Sequence, residues 1–172
     1  MATLLDDVVR HLDHSGARAV LIGAEALARH GIVRATVDTD LMTVSKEVLS
    51  PEFWAPLDHL AEIEVRRGDF DDPLAGVVRL RHPEQKRLDV VVMKHRFAQE
   101  IIDRAEILNE LLVAQLPDLI LLKLYAGGPR DGWDIVQILA SADATLIAEV
   151  ESRLPALPQD ARALWERLLA ER

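Results

Sequence analysis

Asp38 and Asp40 flank a single threonine in the stretch RATVDTDLMT, residues 34–43. Side chains two residues apart on a strand share a face, so an extended reading projects both carboxylates together. Two carboxylates that close raise one another's pKa and destabilise a fold unless something compensates them. A divalent cation does so. Mg²⁺ takes carboxylate oxygens together with water and phosphate oxygens. Two such ions about 3.5–4 Å apart can hold the attacking and leaving oxygens of a phosphoryl transfer. A site of this kind calls for a third acid from a neighbouring strand, and Asp89 is the candidate. It stands among Leu88, Val90, Val91 and Val92, where an uncompensated carboxylate is costly. Two structural readings compete with this chemistry. An acid–x–acid triplet is common by chance as a solvated loop feature, and Asp89 can equally pair with Arg79, Arg81 or Arg87 across a hairpin.

The elements that must carry these residues are readable from periodicity. Leu4, Leu5, Val8, Val9 and Leu12 recur at helical spacing and predict a helix over about residues 3–14, ended by Ser15-Gly16. Ala19 to Ile22 is a short apolar run stopping at Gly23, read as a buried strand, and residues 25–30 follow as a short helix closed by Gly31. The acid pair lies in the extended segment 37–44. Ser50-Pro51 predicts a helix start with Ser50 as N-cap and Pro51 at the first helical position, the helix running to about Leu60. A strand is expected at 62–67 and a surface loop at 68–73. An antiparallel hairpin is expected from 77–81 and 87–92 around His82 to Gln85, then a helix over 97–104 and a short extended pair about Asn109-Glu110. From Pro117 the chain reads as helical: a first helix broken at Gly127-Gly128-Pro129, a second over 131–139, then 143–153 and 159–171. Any domain boundary falls near residues 114–117, strands and helices before it and helices alone after it.

Composition bounds the setting. The 172 residues suit one domain, or a core with a helical extension. No apolar run reaches the ~18–20 residues of a membrane span. The start, MATLLDD, has acids and no basic leader, so a signal peptide is not expected. The absence of cysteine excludes disulfides and thiolate zinc sites. These features predict a cytoplasmic protein without a membrane partner. The net charge of −9 argues against non-specific nucleic-acid binding, which depends on Lys and Arg neutralising phosphates.

The segment LIGAEALARHGIVRATVDTDLMT, residues 21–43, resembles the signature of the DNA polymerase β-like nucleotidyltransferase superfamily. That signature is an apolar residue, Gly, then Gly or Ser, a spacer, and two acids flanking one residue. Here Gly23-Ala24 is followed by a spacer of thirteen residues before Asp38. A second block, LPDLILLKLYAGGPRDGWDI, residues 116–135, resembles one typical of the AbiEii-like toxin and related minimal nucleotidyltransferases. The resemblance implies an α/β nucleotidyltransferase fold: a small mixed sheet flanked by helices (a core over 1–115), with a helical C-terminal segment over 116–172. It implies a metal-dependent transfer of a nucleoside monophosphate from an NTP to an acceptor hydroxyl on RNA or tRNA, a protein or a small molecule. An antitoxin is an implied protein partner. Asp38 and Asp40 would hold Mg²⁺ or Mn²⁺, and Asp89 would complete the metal set and help activate the acceptor. Gly23 and Ala24 would open a helix whose amides face the nucleotide phosphates, as helix N-termini do for anions. Arg34 and Thr36 match the family's approach to the acid pair, and Lys123 would meet the triphosphate. Ala24 departs from the pattern's Gly or Ser and Thr39 from its apolar residue. The first departure leaves open a catalytically degenerate, partner-binding relative.

Other residues have structural readings. Lys123 amid leucines can snorkel to solvent. Asp131 reads as an N-cap with Asp134 in the first turn. Trp54 and Trp133 read as packing residues, Tyr125 as core or pocket rim, and His11 and His14 as a solvated face. The basic residues Arg79, Arg81, Lys86 and Arg87, with Lys94 and Arg96, either guide an anionic acceptor or form a solvated hairpin face. No P-loop is present.

Overall fold

A computed structural model describes residues 2–172. The chain divides into two compact units, one up to Ala114 and one over Gln115–Arg172.

The first unit opens with helix α1 (Leu4–His14). Thr3 caps it in a capping box: its hydroxyl accepts from the Asp6 amide at 3.2 Å, and Asp6 Oδ2 accepts from the Thr3 amide at 2.7 Å. Leu4, Val8 and Leu12 form its buried stripe. Strand β1 (Ala19–Ile22), helix α2 (Gly23–Arg29) and strand β2 (Asp38–Thr43) follow. Then come β3 (Glu62–Arg67), β4 (Leu74–Arg81), β5 (Arg87–Met93), helix α3 (Phe97–Arg104), β6 (Glu106–Leu108) and β7 (Leu111–Val113).

The strands form one mixed seven-stranded sheet in the order β3-β4-β5-β2-β1-β7-β6. The pairs β2/β5 and β1/β7 are parallel and the others antiparallel. One face of the sheet is buried along its centre: Thr39, Leu41 and Thr43 of β2, and Leu88, Val90 and Val92 of β5, are all buried. The residues between them are left for the opposite face.

One expected element changes character. Between β2 and β3 the chain makes two 3₁₀ segments, Lys46–Leu49 and Pro51–Leu57, rather than an α-helix to Leu60. Pro51 does stand at the first turn, but Pro56 lacks the amide an α-helix needs and crowds the preceding turn. Ser50 makes no capping bond; its hydroxyl donates to Glu52 instead. The segment is anchored by Trp54, fully buried, whose indole N–H donates to the Val48 carbonyl at 2.7 Å. His11 does not lie on a solvated face. Its Nε2 is 2.7 Å from the Phe53 carbonyl and its ring packs against Phe53 and Trp54.

The second unit comprises α4 (Leu116–Ala126), α5 (Pro129–Ser141), α6 (Ala144–Arg153) and α7 (Gln159–Ala170). Helix α4 is apolar on nearly every side, which suits a central helix, and α5, α6 and α7 each contact it. It ends at Gly127 in the left-handed conformation, whose amide donates to the Lys123 carbonyl at 2.9 Å. Trp133 is not a packing residue: it is 56 % exposed on α5. Asp118, fully buried in α4, is matched by Arg153 Nη1 at 2.9 Å.

The β6–β7 hairpin turns through Asn109 and Glu110, both at positive φ, 49° and 67°. Asparagine tolerates that region; glutamate is disfavoured there by ~1–2 kcal/mol. Glu110→Gly is therefore expected to raise unfolding stability by up to about 1 kcal/mol after glycine's entropic cost, read as a shift of the urea midpoint at constant slope.

Candidate functional site

The parallel pairing of β2 with β5 sets Asp40 directly beside Asp89 and Asp38 beside Arg87. Residues in register on neighbouring strands point to the same face, so three carboxylates and one guanidinium share one patch of sheet. The register continues outward: Asp89 faces Arg79 of β4, and Arg79 faces Glu64 of β3. A row of charged residues, Asp40–Asp89–Arg79–Glu64, thus crosses four strands. A cleft of about 610 Å³ lined by Thr39, Leu88, Glu25 and Lys86 contains none of the three aspartates.

Each contact in the patch has a donor. Arg87 Nη2 donates to Asp38 Oδ2 at 2.7 Å. Its Nε lies 3.2 Å from Asp89 Oδ1 but makes no aligned hydrogen bond. Arg79 Nε donates to the same Asp89 oxygen at 3.2 Å. That hydrogen bond first, and the carboxylate's charge second, hold the Arg79 guanidinium above its ordinary pKa. Thr36 donates its hydroxyl to Asp38 Oδ1 at 2.7 Å. Both oxygens of Asp38 are therefore engaged. Asp89 is 7 % exposed, so its pairing with arginine from β4 and from its own strand answers the cost of burying a carboxylate.

Gly23 stands at φ +71°, and a Cβ built on it would lie 2.4 Å from Asp40 Oδ2. Glycine is required both by the turn from β1 into α2 and by the approach of the acid. Ala24 is buried. Helix α2 has only seven residues, with Ile22 as N-cap and no side-chain capping bond. Arg34 is half-buried in the loop leading to β2.

Carboxylates alone on one face of adjacent strands are a donor set matched to a hard divalent cation. In the rotamers adopted, however, no three His, Asp or Glu side chains among the described residues converge to hold a metal ion. Asp38 and Asp89 are turned toward guanidinium and hydroxyl donors. The pairing of Asp89 with hairpin arginines, one of the two readings open from sequence, is present together with the shared acid face. The basic run is committed as well: Arg81 donates to Glu64 at 3.0 Å and Lys86 to Glu25 at 2.7 Å. Lys94 donates to the carbonyls of Asp69, at 2.6 Å, and Asp72, at 2.8 Å.

The contact between Arg87 and Asp38 was not drawn from sequence. The available signal was period two on β5: if Asp89 faces the site, Arg87 must face it also. Its partner on β2 depends on a parallel register that pattern alone does not reveal.

Within the helical unit Lys123 is 7 % exposed and does not snorkel. Its Nζ lies 2.5 Å from Asp134 Oδ2 and 3.4 Å from Asp131 Oδ1. Asp134 is almost fully buried, and the N-cap of α5 is Gly128 rather than Asp131. Both acids contact the lysine, and Asp131 also stands in the first turn of α5, where an acid suits the helix start. Tyr125 lines a cleft of about 490 Å³ in the same unit with Leu164 and Arg167.

No protein-family profile matches the chain, and no curated protein matches it in sequence. Solved structures match its fold. The JHP933 protein of Helicobacter pylori superposes with a TM-score of 0.54 at 14 % identity, covering 98 % of this chain and 90 % of that one. A candidate nucleotidyltransferase of H. pylori gives 0.54 at 16 % identity over 93 % of this chain and 79 % of that one. A candidate nucleotidyltransferase of Thermotoga maritima gives 0.55 at 12 % identity over 81 % and 92 %. The chain thus has a nucleotidyltransferase-like α/β fold.

Two substitution tests follow from these contacts. Gly16 has a φ of +72° with nothing near its would-be Cβ, whereas Gly23 has the Asp40 contact as well. Gly16→Ala is expected to cost ~1–2 kcal/mol and Gly23→Ala clearly more, the difference in urea unfolding reading the crowding against Asp40. Asp134→Asn removes the nearer of the two carboxylates beside the buried Lys123 ammonium, leaving Asp131 at 3.4 Å, and is expected to cost ~2–3 kcal/mol, below the ~3–5 kcal/mol of a fully stranded buried charge, also by urea unfolding.

Proposed function

We propose that this protein is a metal-dependent nucleotidyltransferase that moves a nucleoside monophosphate from an NTP to an acceptor hydroxyl. The observation that carries the reading is the register Asp38/Asp40 against Arg87/Asp89 on β2 and β5, beside a glycine whose missing Cβ leaves room for Asp40. In this reading Asp38, Asp40 and Asp89 hold Mg²⁺ or Mn²⁺, which when bound offsets the charge of the nucleotide phosphates. Thr36 and Arg87 donate to the two oxygens of Asp38. The acceptor oxygen forms its bond to the α-phosphorus as the bond to the bridging oxygen breaks, and pyrophosphate leaves. Asp89 is assigned the acceptor's proton. Gly23 and Ala24 form the turn the phosphates approach, with Arg34 as a further contact.

The finer placement, also proposed, is the AbiEii-like branch of toxin–antitoxin nucleotidyltransferases, acting in the cytoplasm with an antitoxin as partner. The resemblance of residues 21–43 and 116–135 supports it. The acceptor class is RNA or tRNA, a protein or a small molecule. Arg79, Arg81, Lys86 and Arg87 are all ion-paired, so a polyanionic acceptor must displace existing partners. No helix among the described residues is long and apolar enough to cross a membrane.

A second reading is a catalytically degenerate nucleotidyltransferase-fold binding protein. Ala24 and the pairing of Asp38 and Asp89 with arginines favour it. The deciding experiment incubates the purified chain with each α-labelled NTP, Mg²⁺ or Mn²⁺, and total RNA or lysate. Labelled acceptor with pyrophosphate release is expected, abolished by Asp38→Asn with Asp40→Asn. Labelling undiminished in that variant removes the acid assignment, and no labelling with any NTP leaves the binding-protein reading.

A further inference from the structure

We propose that Arg87 is the resident counter-ion of the carboxylate face and makes cation binding there conditional on nucleotide. This rests on the nucleotidyltransferase reading above and adds a control that the reading does not require. The Arg87 guanidinium reaches carboxylates on both central strands: Asp38 Oδ2 at 2.7 Å and Asp89 Oδ1 at 3.2 Å. The remaining oxygen of Asp38 is held by Thr36, and Asp89 Oδ1 is shared with Arg79. The three acids share a face by register, yet no three acidic or histidine side chains among the described residues converge on a metal-sized point. The arginine contacts account for that difference between backbone and side chains.

A guanidinium stays protonated throughout the physiological range, so this compensation is not relieved by pH. A cation ligated by Asp38 and Asp89 would stand within contact range of Arg87, like charge against like charge. An incoming triphosphate changes the balance. Its oxygens suit a guanidinium fork, so Arg87 transfers to phosphate as its carboxylates turn to the cation. Cation and nucleotide then favour one another's binding by the same factor, as linkage requires. Arg79 is placed differently: it donates to Asp89 from β4, and Asp38 acts on it only as a nearby charge.

The test measures Mn²⁺ binding to the full chain by electron paramagnetic resonance, alone and with non-hydrolysable ATP, GTP, CTP and UTP analogues in turn. The wild type is expected to bind Mn²⁺ weakly alone and at least tenfold more tightly with one analogue. Arg87→Gln is expected to bind Mn²⁺ alone at least tenfold more tightly than the wild type, with little further gain from the analogue. Near-ultraviolet circular dichroism checks that the variant is folded. If it does not fold, Arg87→Lys, which keeps the charge but lacks the fork, must lower the nucleotide coupling at least threefold, and unchanged coupling overturns the proposal. Wild-type coupling with no tightening in folded Arg87→Gln overturns it while leaving the transferase reading intact. Absence of Mn²⁺ binding in every form, with and without nucleotide, overturns both.

Discussion

Carboxylates from two neighbouring strands share one face of the central sheet, and their mutual repulsion must be met. Everything local to the site follows from that requirement. Arg87 spans Asp38 and Asp89, Arg79 reaches Asp89 from the next strand, and Thr36 holds the far oxygen of Asp38. The site is a compensated array rather than three bare acids, and main-chain register sets the arginines beside the acids they compensate.

The same sheet explains why the acids can be there at all. Alternation gives β2 and β5 a buried apolar row, Thr39, Leu41, Leu88 and Val90 among it, and that row fixes which face the intervening residues take. A one-residue slip would bury Asp38 and Asp40 in the apolar layer and expose the leucines. Core packing therefore protects the geometry of the polar face. Gly23 adds a local condition, since a side chain there would meet a left-handed backbone and displace the Asp40 carboxylate.

The helical unit meets buried charge in the same manner. Lys123 with Asp134, and Arg153 with Asp118, sit within an otherwise apolar bundle. Removing one partner from such a pair is far more damaging than never having had it, so these pairs fix how α4 meets α5 and α6. For Lys123, the pairing gives a structural role beside the ligand role that the motif resemblance assigns.

The sequence by itself determined the element types of both units outside the segment between β2 and β3, the strand that carries Asp38 and Asp40, the hairpin that carries Asp89, and the break at Gly127, because each rests on local periodicity or on a single residue's backbone freedom. It also suggested the fold, through two short blocks in the right order. The 3₁₀ character of Pro51–Leu57 was misread because a proline at the first turn outweighed a second proline five residues on. Tertiary structure alone decided the parallel register of β2 with β5, the double reach of Arg87, the burial of Lys123 against Asp134 and the exposure of Trp133. Those depend on which residues, far apart in the chain, are brought face to face, and no period within one segment carries that information.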